Sequence, residues 1–196
     1  MEKITAQTLL KTYLYLMSLI TLTVALFTGA MLIKVGISQF TPLEFSYNLS
    51  IANTPADMKE YSLEKCYDDA KVVNIDGKEY CWDENIRKQD LINGGTIFLS
   101  MVILFALHQF GIKQTEKMKT PMWLLKGYTF ISLMLYSITG VIAIPTAIYQ
   151  TVNYLLNNTS TYSTLYAPAY SIGLVILALP LWYIFFKKTL HLKDEE

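Results

Sequence analysis

Two cysteines are the residues of this chain whose chemistry the sequence defines best. Cys66 and Cys81 are its only cysteines, and both lie in a polar segment, 38–90, between two long apolar runs. In an oxidising compartment, two lone cysteines in one segment are expected to form a structural disulfide. A redox-active or metal-binding pair is the alternative, but it needs a C-x-x-C spacing or further ligands. We therefore predict a disulfide that staples the 38–90 segment.

The other groups capable of chemistry form no catalytic set. His108 belongs to an apolar run and His191 to the C-terminal tail, so a haem held by two buried histidines is not expected. Ser-His-Asp order, a zinc spacing and a Gly-rich phosphate loop are missing. Six acids cluster in the polar segment: Asp68, Asp69, Asp76, Glu79, Asp83 and Glu84. They could gather calcium, but they lack the alternating pattern of a calcium loop and fit a solvated face better. We predict no catalytic, metal or cofactor-binding residues and no enzymatic activity.

The elements that position these groups are apolar helices. Residues 127–186 contain no charged side chain, and hydrophobic residues make up 53% of the chain. One membrane crossing takes about 20 residues, so this stretch alone is long enough for two. Four acid-free runs occur, at about 12–40, 91–112, 123–156 and 166–186. Backbone amides in lipid need internal partners, so these runs are predicted to be helices. We predict an all-α membrane protein, a single four-transmembrane-helix bundle over 1–196, with 38–90 inserted as a disulfide-stapled outer loop.

Charges outside the runs predict the orientation in the membrane. Short cytoplasmic connections of membrane proteins are enriched in lysine and arginine. Lysines are frequent between the second and third spans and after the fourth: Lys113, Lys117, Lys119, Lys126, Lys187 and Lys188. The 38–90 segment instead contains eleven acidic and six basic residues. We predict cytoplasmic termini and an extracytoplasmic 38–90 loop. Lys34, at the outer end of the first run, is expected to extend to the membrane surface.

Sequons on the predicted outer side are possible modification sites. They begin at Asn48, Asn157 and Asn158. Each would be a glycosylation site if the host glycosylates its membrane proteins.

Small residues four apart predict where the helices pack. The candidate faces are Thr21, Ala25 and Gly29 in the first span and Thr139, Ala143 and Ala147 in the third. Small side chains let membrane helices approach closely, although such residues are also common in membrane helices in general. We expect these two faces to be the main helix contacts.

One stretch of the outer loop is typical of a small β-hairpin. Two β-prone runs, 71–75 and 78–82, flank an Asp-Gly pair, which supplies the positive φ angles that a two-residue turn requires. The predicted register pairs Val73 with Tyr80 and Val72 with Cys81. An isolated hairpin is marginally stable in water, so we expect the disulfide and the membrane surface to hold it.

Short motifs at the span boundaries carry a family resemblance. They are LKTYLYLMSLITL from Leu10, NIRKQ from Asn85, WLLK from Trp123 and LWY from Leu181. In these motifs the chain resembles an uncharacterised prokaryotic four-span membrane family, a domain of unknown function. The resemblance implies the architecture and no activity. In topology the chain is also similar to claudin-like tetraspan proteins, which have two cysteines in a first outer loop and a short second loop.

These features predict function mainly by exclusion. We expect a non-enzymatic integral membrane protein, an accessory or assembly subunit that contacts a protein partner through its outer loop or associates with itself. The alternative is a small oligomeric channel or transporter with a pore lined by hydroxyl groups of the third span: Ser132, Tyr136, Thr139 and Thr146. A third hypothesis is a membrane enzyme that handles lipids or quinones, for which a catalytic set is missing. Membrane lipid is an expected partner, and nucleic acid is not.

Overall fold

Long helices dominate the structure. The computed structural model describes residues 6–47, 49–51, 71–75, 78–115, 121–156 and 167–191. The elements in these ranges are α1 (Ala6–Ile37), α2 (Leu43–Ser46), β1 (Ser50–Ile51), β2 (Lys71–Ile75), β3 (Lys78–Trp82), α3 (Glu84–Gln114), α4 (Met122–Leu156) and α5 (Ala169–His191). By length and composition, α1, α3, α4 and α5 could each cross a membrane. The predicted bundle of four membrane-length helices is confirmed at this level.

The start of α3 differs most from the predicted spans. Asp83 caps this helix, because its side chain accepts a hydrogen bond from the backbone N–H of Asn85 at 2.8 Å. The helix therefore begins at Glu84, well before the predicted start at residue 91. The apolar run 91–112 contains no acidic residue. The longer helix α3 contains two, Glu84 and Asp90, in its first two turns.

α1 is the central helix of the bundle. It packs against α3 and α5, whereas α4 packs mainly against α5 and touches α1 only sparsely. Glycines set the closest approaches. A Cβ at Gly173 of α5 would lie 2.8 Å from the carbonyl oxygen of Ala30, and a Cβ at Gly29 would lie 2.8 Å from Leu177 Cδ1 and 3.1 Å from Phe98 Cε2. The absence of these side chains lets α1 lie close to both neighbours.

The residues predicted to pack on α1 and α4 lie largely inside the bundle. Five are buried and Thr139 is half-buried, the buried ones being Thr21, Ala25, Gly29, Ala143 and Ala147. Because α1 and α4 touch sparsely, these two faces meet other helices more than each other. Their burial within one chain leaves other surfaces for contacts with a second copy.

A three-stranded antiparallel sheet lies at one end of the bundle, in the order β1-β3-β2. Val73 pairs with Tyr80 and Val72 with Cys81, which confirms the predicted hairpin register. The strand β1, which pairs with β3, was not predicted, since two residues carry no periodic pattern. We call this the sheet end, and the opposite end, where α1 and α4 begin and α3 and α5 end, the terminal end.

Some predicted residues lie outside the described part of the chain. They are Cys66, Asn48, Asn157 and Asn158, together with the Asp76-Gly77 turn. Cys81 lies on β3. The Cys66–Cys81 disulfide and the glycosylation sites therefore stay predictions.

Candidate functional site

The sheet has two unlike faces, because side chains alternate along a strand. One face contributes Trp82, with Val73 and Tyr80, to a small apolar cluster that also contains Tyr47 and Leu49. Tyr47, Leu49 and Trp82 are only 5%, 4% and 7% exposed. Val72 belongs to the other face and is 44% exposed. The first face is therefore the inner one, and Val72 marks an exposed position on the second, which we call the outer face.

An ion pair ties the last turn of α1 to the second turn of α3. The ammonium nitrogen of Lys34 lies 2.6 Å from Oδ2 of Asp90, and the two side chains are 17% and 15% exposed. The same nitrogen lies 4.2 Å from the centre of the Tyr47 ring, within the distance of a cation–π contact. Lys34 therefore holds α1, α3 and the segment that leads into the sheet.

Trp82 connects the sheet to this ion pair. Its ring centre lies 4.8 Å from that of Tyr47, and its Nε1–H donates to Oε2 of Glu84 at 3.1 Å. Glu84 in turn accepts a hydrogen bond from Nε–H of Arg87 at 2.8 Å through its other oxygen. We call Lys34, Tyr47, Trp82 and Asp90 the sheet-end cluster. It fastens the inner face of the sheet to the ends of two long helices.

The charges in the sheet-end cluster suit a structural role, in which the sheet is held on the helices, better than a role in proton transfer. Burial raises the pKa of the Tyr47 hydroxyl to about 12, and the negative charge of Asp90 adds to the shift. Tyr47 therefore stays neutral at physiological pH, while Lys34 and Asp90 offset each other's charge. Within the described ranges, no group of three or more His, Cys, Asp or Glu side chains could hold a metal ion. The arrangement is suited to positioning a surface.

Sequence reasoning missed this cluster in part. Lys34 was expected to extend to the membrane surface, but the structure pairs it with Asp90. A usable pattern was present, because the first apolar run contains one lysine near its outer end and an aspartate directly precedes the second run. Charged residues on membrane helices usually pair with each other. The contacts of Tyr47 and Trp82 carry no comparable pattern.

The histidines do not meet in the structure's described part. Nδ1 of His108 lies 2.6 Å from the carbonyl oxygen of Leu104 in its own helix, and the ring lies 6.0 Å from that of Tyr13. His191 is the last residue of α5. The described contacts of His108 pair it with no nucleophile that it could activate.

Three of the four hydroxyl groups considered for a pore are hydrogen-bonded within their own helix. Ser132, Thr139 and Thr146 donate to the backbone carbonyl one turn earlier, at 2.7, 2.9 and 2.7 Å. Such bonds satisfy a hydroxyl group inside a membrane helix. Tyr136 is 1% exposed in the core and its ring stacks on Phe185 at 5.5 Å. This geometry gives the channel alternative no specific support.

Comparison with known proteins adds no relative. No protein-family model matches the chain, and no curated protein or solved structure matches it. The family resemblances of the sequence motifs thus stay predictions.

Proposed function

We propose that this chain is a non-enzymatic integral membrane protein, an accessory or assembly subunit that contacts a partner protein through the segment between α1 and α3. The observation that carries the proposal is the fastening of the sheet to α1 and α3 by Lys34, Tyr47, Trp82 and Asp90. A surface held in place before binding loses less conformational freedom when a partner docks. The outer face of the sheet is the surface that this fastening presents.

Two features of the sheet suit a protein partner. Among the described strands, β2 is at the edge of the sheet, and an edge strand can pair with an extended segment of another protein. Its side chain Val72 is 44% exposed on the outer face. The 38–90 segment carries eleven acidic and six basic residues, so a partner with a basic surface would be electrostatically complementary.

The disulfide and the orientation belong to the same proposal. Cys66 and Cys81 are the only cysteines of the chain, and two lone cysteines in one segment outside the cytoplasm are expected to pair. A disulfide is stable in an oxidising compartment. The proposed orientation therefore places the sheet end outside the cytoplasm and both termini, with the lysine-rich 113–126 region, inside.

A thiol-labelling experiment tests the disulfide and the orientation together. In intact cells, a membrane-impermeant maleimide should label the chain only after treatment with an impermeant reductant, and should then modify both Cys66 and Cys81. Labelling without reduction would contradict the disulfide. Labelling that requires disruption of the membrane would contradict the orientation.

Site-specific photo-cross-linking tests the partner proposal. A photoreactive amino acid at Val72 samples the outer face of the sheet, and the same amino acid at Leu99, which is 61% exposed on α3, samples the apolar face of a helix. In native membranes, we expect the Val72 position to give one discrete cross-linked protein. The Leu99 position serves as the control, and we expect no discrete protein product there.

Two outcomes would contradict the proposal. One is a Val72 position that yields no protein cross-link in native membranes. The other is a discrete protein product at Leu99 alone, which would place the partner against α3 within the bilayer and away from the sheet.

A further inference from the structure

A cavity at the terminal end is not part of the sheet-end cluster. It has a volume of about 670 Å³ and is lined by side chains from α1, α3, α4 and α5. Ligand pockets in proteins typically measure about 300–1,000 Å³. The cavity is therefore large enough to hold a substantial part of a small amphipathic molecule.

The walls of the cavity are mostly apolar. Phe105 of α3, Leu22 of α1 and Ile184 of α5 are among the residues that line it. α3 packs on α1 while α4 packs mainly on α5, so the two outlying helices flank the cavity from opposite sides. A membrane-spanning bundle is surrounded by lipid, so an acyl chain is the nearest apolar occupant for such walls.

One charged side chain, Lys188, lines this apolar space. Its ammonium nitrogen lies 5.8 Å from the centre of the Tyr128 ring. Within the described part of the chain, Lys188 has no carboxylate partner. All acidic residues of that part lie between 44 and 90, in or next to the sheet end. The ammonium group of Lys188 is therefore available to an anion.

A second polar side chain lines the cavity together with Lys188. Gln109 of α3 also lines the cavity. Its side-chain N–H donates a hydrogen bond to Oγ of Ser18 at 2.6 Å. A lysine ammonium group beside apolar walls matches a phosphate group attached to a hydrocarbon chain. Basic pockets between membrane helices bind anionic lipid headgroups in this way.

We propose that this cavity binds one anionic phospholipid of the surrounding bilayer, with the headgroup phosphate at Lys188 and an acyl chain along the apolar walls. Zwitterionic lipids offer the same hydrocarbon but no net negative charge, so they are bound more weakly. The charge of Lys188 selects the headgroup, while the apolar walls contribute affinity for any acyl chain.

Native mass spectrometry of the purified full chain tests this site. The chain is reconstituted in nanodiscs that contain equal amounts of phosphatidylglycerol and phosphatidylcholine. The protein is then released from the nanodiscs in the mass spectrometer, and the lipid molecules that stay bound to it are counted. We expect one retained phosphatidylglycerol. Lys188→Gln should weaken its retention about fivefold, as expected for the loss of one lysine–phosphate interaction, and Lys188→Arg should preserve it. Ile184→Trp, which narrows the cavity, should also reduce retention.

Lys187→Gln is the matched control, because Lys187 is the adjacent lysine and does not line the cavity. Its retention of phosphatidylglycerol should equal that of the native chain. Equal retention of phosphatidylcholine and phosphatidylglycerol would overturn the proposal. So would an equal loss in Lys187→Gln and Lys188→Gln, since the effect would then come from the general charge of the helix end. Lys188→Arg shows whether a loss in Lys188→Gln reflects charge or misfolding.

Discussion

Replacing Lys34 with methionine is expected to lower the free energy of unfolding by about 2–3 kcal/mol, more than replacing Asp90 with asparagine. Lys34→Met leaves the Asp90 carboxylate, which is 15% exposed, without its cation. Asp90→Asn leaves Lys34 against the face of the Tyr47 ring, 4.2 Å from its centre, and keeps an oxygen that can accept a hydrogen bond. An unpaired half-buried charge is costly, and in Asp90→Asn the remaining lysine keeps its cation–π contact with the Tyr47 ring.

A double-mutant cycle measures this effect. The double variant Lys34→Met/Asp90→Asn contains neither charge, so we expect it to recover most of the stability lost in Lys34→Met. Unfolding is followed in detergent micelles or bicelles. Lys88→Met, which removes an exposed lysine of the same helix α3, is the control and should change little. A double variant no more stable than Lys34→Met would show that the ion pair does not couple α1 to α3.

The second large effect is expected for Trp82→Ala, which should release the sheet from the helices. Trp82 is 7% exposed, packs on Tyr47 and donates to Glu84. Truncating a buried tryptophan costs about 3–5 kcal/mol, and an isolated hairpin has little stability of its own. Hydrogen exchange should therefore speed up strongly in the amides of β2 and β3, while the long helices keep their protection.

Two further variants show whether the effect of Trp82→Ala comes from loss of the packing of the sheet on the helices. Trp82→Phe keeps an aromatic ring against Tyr47 but loses the hydrogen bond to Glu84, so its exchange should be intermediate. Val72→Ala shortens an exposed side chain of the outer face and should leave exchange nearly unchanged. If Trp82→Ala left the β2 and β3 amides as protected as in the native chain, the sheet would not depend on this cluster for its position.

The features that the sequence predicts correctly are those set by local pattern. Four long apolar runs lead to four membrane-length helices because backbone groups in lipid have no other way to be satisfied. The Asp-Gly pair and the alternating residues around it predict the register of Val73 with Tyr80 and Val72 with Cys81. Both inferences use residues close together in the chain.

The features that escape the sequence depend on residues brought together by packing. The contact of Lys34 with Tyr47 and Asp90 needs the ends of α1 and α3 to be neighbours. The terminal-end cavity depends on how α3 and α4 diverge around α1 and α5. The early start of α3 could have been predicted in part. Asp83 is a recognisable N-cap residue in the sequence, but the start of the apolar run at residue 91 is the stronger signal.

The most direct measurement for the proposed function is the yield of the Val72 photo-cross-link in three backgrounds in native membranes. With the Trp82 side chain intact, and in Lys187→Gln, the same discrete partner product should form. In Trp82→Ala, where the helices remain folded but the sheet is released, this product should be lost. An undiminished product in Trp82→Ala would contradict the account, because the partner would then not depend on the sheet being held on α1 and α3.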